Sequence, residues 1–152
     1  MNIPIKLQQL EGEWTGSNRL TMSPEDPVRD SESNATVAFE ANKKALRISY
    51  DWTFDGAVQT GLMIFCFGKT GQASNVWLDS FHQSAEFMKS AGEYDERSAN
   101  VKGFYTIPEY SDWGWRTIVE SDDPDSFTFT MYNVTPEGEE HVAVEAAFKR
   151  KK

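Results

Sequence analysis

A chain of 152 residues with a formal net charge of −9, 39% hydrophobic and 26% charged residues has the make-up of one soluble globular domain, long enough to bury a sizeable core. The acidic balance speaks against a phosphate-binding face and against anionic lipid surfaces, so neither nucleic acid nor membrane is an expected partner. The single Cys66 rules out an internal disulfide; with no secretory pattern over Met1 to Leu10 and no apolar run long enough to span a bilayer, the expected compartment is the cytoplasm.

Ile5 to Leu10 is expected to form a helical turn or two. From Glu13 the period changes to two, with Trp14, Gly16, Asn18, Leu20 and Met22 on one face. Gly12-Glu13-Trp14-Thr15-Gly16 predicts a first strand whose tryptophan closes one end of a barrel. Two prolines make Ser23 to Pro27 a loop, and Ser33 to Phe39 is a second strand. Ala45 to Thr53 is the cleanest strand: Leu46, Ile48, Tyr50 and Trp52 face one way, Arg47, Ser49, Asp51 and Thr53 the other. Asp55-Gly56 is a hairpin signal. Ala57 to Phe67 is apolar on both faces, with Leu62, Ile64 and Cys66 on one and Met63, Phe65 and Phe67 on the other.

Further strands are expected at Asn75 to Phe81, Glu86 to Glu93, Asn100 to Ile107, Trp113 to Ser121, around Phe127 to Met131, and over Val142, Val144, Ala146 and Phe148. No helix-length period appears after residue 10, and no linker or repeat divides the chain. The expected fold is all-β: a single antiparallel up-and-down barrel of about ten strands, one domain over residues 1–152, with a short N-terminal helix near one mouth.

The chemical motifs are thin. Gly68-Lys69-Thr70 lacks the earlier glycine of a phosphate loop, since Met63 stands there. Asp79 and His82 make only a loose pair, His141 is far along the chain, and no metal site is expected. Cys66 sits in the most apolar strand, where a buried, inert thiol is expected. Most carboxylates fall in turns. Asp79, Arg116 and Glu145 fall inside strands, where alternation favours solvent for all three; the alternative gathers Trp77, Asp79 and Arg116 inside as a polar patch. No catalytic residue is assigned.

Gly12-Glu13-Trp14-Thr15-Gly16, Trp77-Leu78-Asp79-Ser80 and Glu145-Ala146-Ala147-Phe148-Lys149-Arg150 resemble a bacterial domain-of-unknown-function family with a calycin-like barrel, in the neighbourhood of lipocalins, fatty-acid-binding proteins and nitrobindins. The resemblance implies the barrel and no established activity. The lipocalin-like Gly12-x-Trp14 implies that a basic residue of the last strand, Lys149 or Arg150, packs on the tryptophan. In the nitrobindins a last-strand histidine ligates haem, and His141 lies at the start of the last strand. The following Val142-Ala143-Val144-Glu145 departs from that pattern, and alternation sets His141 opposite the face of Val142 that is expected inside. Haem is therefore not expected.

The expected function is non-enzymatic binding of a small apolar or aromatic molecule in the barrel, lined by Tyr50, Trp52, Trp113, Trp115, Phe129 and Met131. The alternatives are a barrel filled by these rings, an enzyme using Asp79, Arg116 and His141 on a bound molecule, or an oligomeric scaffold. The doubly apolar strand suggests a homodimer through outward-facing Phe65, Phe67 and Trp77, with Phe81 beside them.

Overall fold

Ten antiparallel strands follow one another around the computed structural model, which describes residues 2–83 and 85–152. They are β1 Gly12–Leu20, β2 Arg29–Glu40, β3 Ala45–Phe54, β4 Ala57–Phe67, β5 Gln72–Asp79, β6 Met88–Tyr94, β7 Ser98–Tyr105, β8 Trp113–Asp123, β9 Ser126–Val134 and β10 Glu140–Arg150. Each pairs with the next, and β1 pairs with β10 to close the barrel. Closure leaves no unpaired edge. The expected N-terminal helix is a short 3-10 helix over Leu7–Gln9. Among the described residues no helix is long and apolar enough to cross a membrane.

One end of the barrel is filled. Trp14 is buried, and its Nε1 donates to the Leu10 carbonyl at 2.9 Å. Its ring meets Phe127 edge-on at 4.9 Å, and Phe127 stacks on Phe148 at 4.8 Å. Ile3, Leu7 and Leu10 are buried in the same core. Lys6 N–H donates to the Glu96 carbonyl at 2.8 Å, which ties this N-terminal plug to the β6–β7 turn. Gly16 has a steric reason: a Cβ there would overlap the Ala147 carbonyl of β10. A larger residue would pry the closing strands apart.

Pairing with β3 decides which face of β4 is inside. Directly opposed residues share a face. Leu46 is opposite Phe65 and Ile48 opposite Met63, so the inward alternation of β3 pulls Met63, Phe65 and Phe67 into the core. Trp77 lies opposite Met63 and is buried with them. Phe65, Phe67 and Trp77 therefore form no outer surface, and the expected dimer face through them is overturned. Among the outward aliphatic residues, Leu62 lies opposite Leu78 and Ile64 opposite Val76, and Val58 nearer the start of β4 is exposed. Cys66, expected to be buried, is exposed on that outer side.

The last strand also departs from plain alternation. Val142 pairs with Tyr132 and Val144 with Met131, so Ala143 is an extra residue on β10, a β-bulge. The bulge reverses the phase. His141 pairs with Asn133, which pairs with Trp115, so His141 shares their side of the sheet, while Val142 shares the outer side of Tyr132 and Arg116. The expected placement of Val142 inside and His141 opposite is thereby corrected.

Candidate functional site

The open mouth is organised by Asp79, the last residue of β5. It is 1% exposed, which overturns its expected solvent position. Its Oδ2 accepts from Tyr50 Oη at 2.6 Å and from Trp52 Nε1 at 3.2 Å. Its Oδ1 accepts from the backbone N–H groups of Phe81 at 2.9 Å and His82 at 3.3 Å. Trp77 Nε1 donates to Tyr50 Oη at 2.9 Å. A carboxylate is an acceptor-only group, and four donors satisfy it without a cation. Tyr50 reaches it because it lies across Gly61, where a Cβ would overlap the tyrosine ring. Burial, and then the charge of Asp79, hold the Tyr50 hydroxyl well above the usual phenol range.

The same contacts wind the chain after β5 back over the mouth. Asp79 N–H donates to Gln83 Oε1 at 2.7 Å, and Gln83 N–H donates to the Asp79 carbonyl at 3.0 Å. This is the local turn chemistry that aspartate favours. It inserts the His82 ring among Phe81 at 5.1 Å, Trp115 at 5.3 Å, Trp77 at 5.4 Å and Trp52 at 5.9 Å. Burial there pushes the His82 imidazole below its ordinary value, with the Asp79 charge pulling the other way.

Above this floor lies a cavity of about 300 Å³. Trp77 and Trp115 stack on one another at 5.1 Å along one wall, with Phe81, His82, Gln83 and Met88 beside them. Leu20 and Ala143 line it from β1 and β10, and Tyr105 Oη donates to Asn133 Oδ1 at 2.7 Å at the rim. No Lys, Arg, Asp or Glu lines it among the described residues. A more open groove shares His82, Gln83, Met88 and Tyr105 and runs outward past Phe87 and Phe104.

Of the six residues expected to line a site, Trp115 lines this cavity. Tyr50 and Trp52 lie beneath it, bonded to Asp79. Phe129 and Met131 are buried deeper, where Phe129 meets the Tyr50 ring at 5.0 Å. Trp113 opens β8 half-buried and is not part of the cavity wall. The alternative polar patch joining Asp79 with Arg116 does not form. Arg116 points outward, holds Glu140 through two bonds of 2.7 and 3.3 Å, and lies 4.3 Å over the Tyr132 ring. That hydrogen-bonded pair holds the Glu140 carboxyl below the usual range. His141 lies 3.5 Å from Glu139, and Glu145 is exposed. Asp79, Arg116 and His141 thus do not converge.

Among the lining residues that alternation missed are Phe81, His82 and Gln83: the strand expected to run to Phe81 ends at Asp79, and these three follow it in a turn that has no period. The available signal was the aspartate itself, placed two residues before Phe81 at a strand end.

A family model described as "protein of unknown function (DUF1579)" matches residues 5–150. The chain belongs to this family. No curated protein matches it. Among solved structures, the DUF1579 chain is similar to Rv2717c from M. tuberculosis, with a TM-score of 0.70 at 13% identity over 96% of this chain and 95% of that one. It is also similar to the S-type phycobiliprotein lyase CPES from Guillardia theta, with a TM-score of 0.64 at 11% identity over 100% of this chain and 94% of that one. A redesigned β-barrel matches at a TM-score of 0.50 and 12% identity over the whole of both chains. At such identities the likeness is one of fold. The DUF1579 barrel is calycin-like, as its sequence motifs imply.

Proposed function

We propose that this DUF1579 barrel binds one small, largely apolar, planar molecule in its open mouth, without transforming it. The observation that carries the reading is the cavity wall. Trp77, Trp115, Phe81 and the His82 ring line it as a cluster of packed aromatic rings, in a barrel whose other end is filled by Trp14, Phe127 and Phe148. Concave, mostly apolar sites with a few placed polar groups are the usual form of small-molecule pockets. Asp79, Arg116 and His141, the three groups considered for catalysis, do not converge, and Asp79 spends its oxygens on four structural donors, which favours binding over catalysis.

The test uses the neutral fluorophore N-phenyl-1-naphthylamine. Its emission should rise to saturation on titration with the protein, and the Ala143→Phe substitution, which fills the cavity from β10, should abolish the rise. A signal that never saturates, or one unaffected by Ala143→Phe in a folded variant, would overturn the reading.

A further inference from the structure

The exposed apolar side chains of this barrel are gathered at its open end. Of the large hydrophobic side chains that stand exposed among the described residues, all but Ile5 lie in the mouth loops or at the strand ends that enter them. Phe104 is 62% exposed and Phe87 59%, and the two line one groove with Met88 and Tyr105. Phe104 is turned out because Gly103, opposite inward Trp115, takes the inner place, where a Cβ would strike the Lys89 carbonyl. Met88 and Tyr105 also line the cavity, and Met22 joins them there, so the groove continues the mouth across its rim. Tyr110, 74% exposed, stands in the loop after β7.

Charge at this end has one sign. Each loop around the mouth, residues 21–28, 55–56, 80–87, 106–112 and 135–139, carries at least one Asp or Glu, and none carries a Lys or Arg. At the neighbouring strand ends Arg29 is held by Asp55 at 2.7 Å and Arg116 by Glu140 at 2.7 Å. Lys89 and Lys102 stand exposed on β6 and β7, on the outer wall below the loops, with Lys102 5.2 Å from the Phe104 ring. The turns at the plugged end are of mixed sign, with Lys43, Lys44 and Lys69 among them. Loops of one sign around an opening steer opposite charge towards it.

Exposed apolar groups gathered on one face and rimmed by charge mark a surface that meets another molecule. The acidic loops repel an anionic membrane. A second copy set mouth to mouth would bring acidic loops against acidic loops. We infer that the open end of the barrel is a docking face for a protein partner that presents a basic segment bearing aromatic side chains. The loops attract and orient the basic groups, and the groove between Phe87 and Phe104 takes a ring. The face surrounds the cavity and leaves its wall untouched, so docking does not depend on what the cavity holds.

The experiment measures binding of three synthetic peptides to the full chain by calorimetry: GKKFGKKFGKK, its acidic counterpart GEEFGEEFGEE, and GKKSGKKSGKK, which keeps the charge and removes the rings. The first should bind tightest, by about tenfold or more over the serine peptide, because only it fills the groove as well as meeting the charge. The acidic peptide should bind weakest. Amide shifts on binding should centre on Phe87, Phe104 and Tyr110. Phe87→Ser combined with Phe104→Ser changes two exposed side chains outside the core. It should bring the first peptide down to the level of the serine peptide and leave N-phenyl-1-naphthylamine binding unchanged. Glu109→Lys with Asp112→Lys should weaken both basic peptides. Equal binding of the two basic peptides, with shifts spread over the surface, would reduce the effect to attraction between opposite charges and overturn the inference. Tightest binding of the acidic peptide, or binding of none of the three, would overturn it as well. Sedimentation of the protein with phosphatidylcholine vesicles, lost in the double serine variant, would give the face to lipid instead. A dimer at micromolar concentration that the same variant splits would give it to a second copy. Because N-phenyl-1-naphthylamine reports on the cavity separately, each of these failures leaves the proposed ligand binding standing.

Discussion

The guanidinium of Arg150 lies over the indole of Trp14, with its central carbon 4.5 Å from the ring centroid. From that position Arg150 donates to three carbonyls, of Glu11 at 2.9 Å, Gln9 at 2.7 Å and Pro124 at 2.7 Å. The last strand thereby ties down the N-terminal plug and the β8–β9 turn through one side chain. A planar fork with several donors can do this and an ammonium cannot, which is why Arg150, rather than exposed Lys149, takes the part.

Arg150→Lys is accordingly expected to lower stability by about 1–3 kcal/mol, from lost charged hydrogen bonds and a weaker cation–π contact. Trp14→Ala should cost about 3–5 kcal/mol, as for other large core truncations. Urea denaturation measures both. A Trp14→Ala midpoint equal to that of the parent would show that the tryptophan does not close this end.

Asp79 carries the second prediction. Asp79→Asn places an N–H group where Oδ2 now accepts from Tyr50 and Trp52, so donor faces donor in a buried site. Tyr50→Phe removes the hydroxyl that joins Trp77 to Asp79. Each should cost about 1–3 kcal/mol, the penalty of stranding a buried polar partner. Asp79→Asn should also loosen the turn that holds His82, visible as faster amide exchange at Phe81 and His82. Slow, parent-like exchange there would show that the carboxylate does not organise the mouth.

Alternation made the barrel legible because its inner face is continuous: Trp14, Leu46, Ile48, Val119, Phe129 and Phe148 all fall where period two puts them. It failed at three places for physical reasons. In β4 both faces are apolar, so the pattern has no sign, and only the pairing with β3 supplies one. In β5 the inner face carries Asn75, Trp77 and Asp79, which reads as a polar face until Tyr50 and Trp52 are seen to satisfy the aspartate. In β10 the inserted Ala143 shifts the phase by one residue, and nothing in Val142-Ala143-Val144 announces it. The mouth is built at these same irregular places, from the end of β5, its turn and the bulge. That is why Trp115 alone of the expected lining residues reaches the cavity.

His82 predicts a dependence on pH. Its folded-state value lies below the ordinary 6.5. Between that lowered value and about 6.5 the unfolded chain holds a proton that the folded chain does not. The stability contributed by neutral His82 is therefore complete above about pH 6.5 and declines as the pH falls through that window. Urea midpoints taken from about pH 7.5 down to 5 should drop more steeply for the parent than for His82→Phe, which keeps a ring in the box and removes the titration. Parallel curves would show that His82 titrates alike in both states.

The faces of β4 give the sharpest contrast. Phe65 is 0% exposed and opposite Leu46, whereas its neighbour Ile64 faces outward opposite Val76. Phe65→Glu would bury an unpaired carboxylate in the aromatic core, a change in the class of large destabilisations. Ile64→Glu only adds a charge to the outer wall. Circular dichroism should therefore show loss of the cooperative β transition for Phe65→Glu and its retention for Ile64→Glu. The same pair reads out assembly. A pairing of two copies centred on Leu62, Ile64, Val76 and Leu78, which β4 and β5 turn outward side by side, would be broken by Ile64→Glu, halving the mass seen by light scattering. A folded Phe65→Glu variant would mean that the inner and outer faces of β4 are the reverse of those described, and that the barrel is registered one residue out of step.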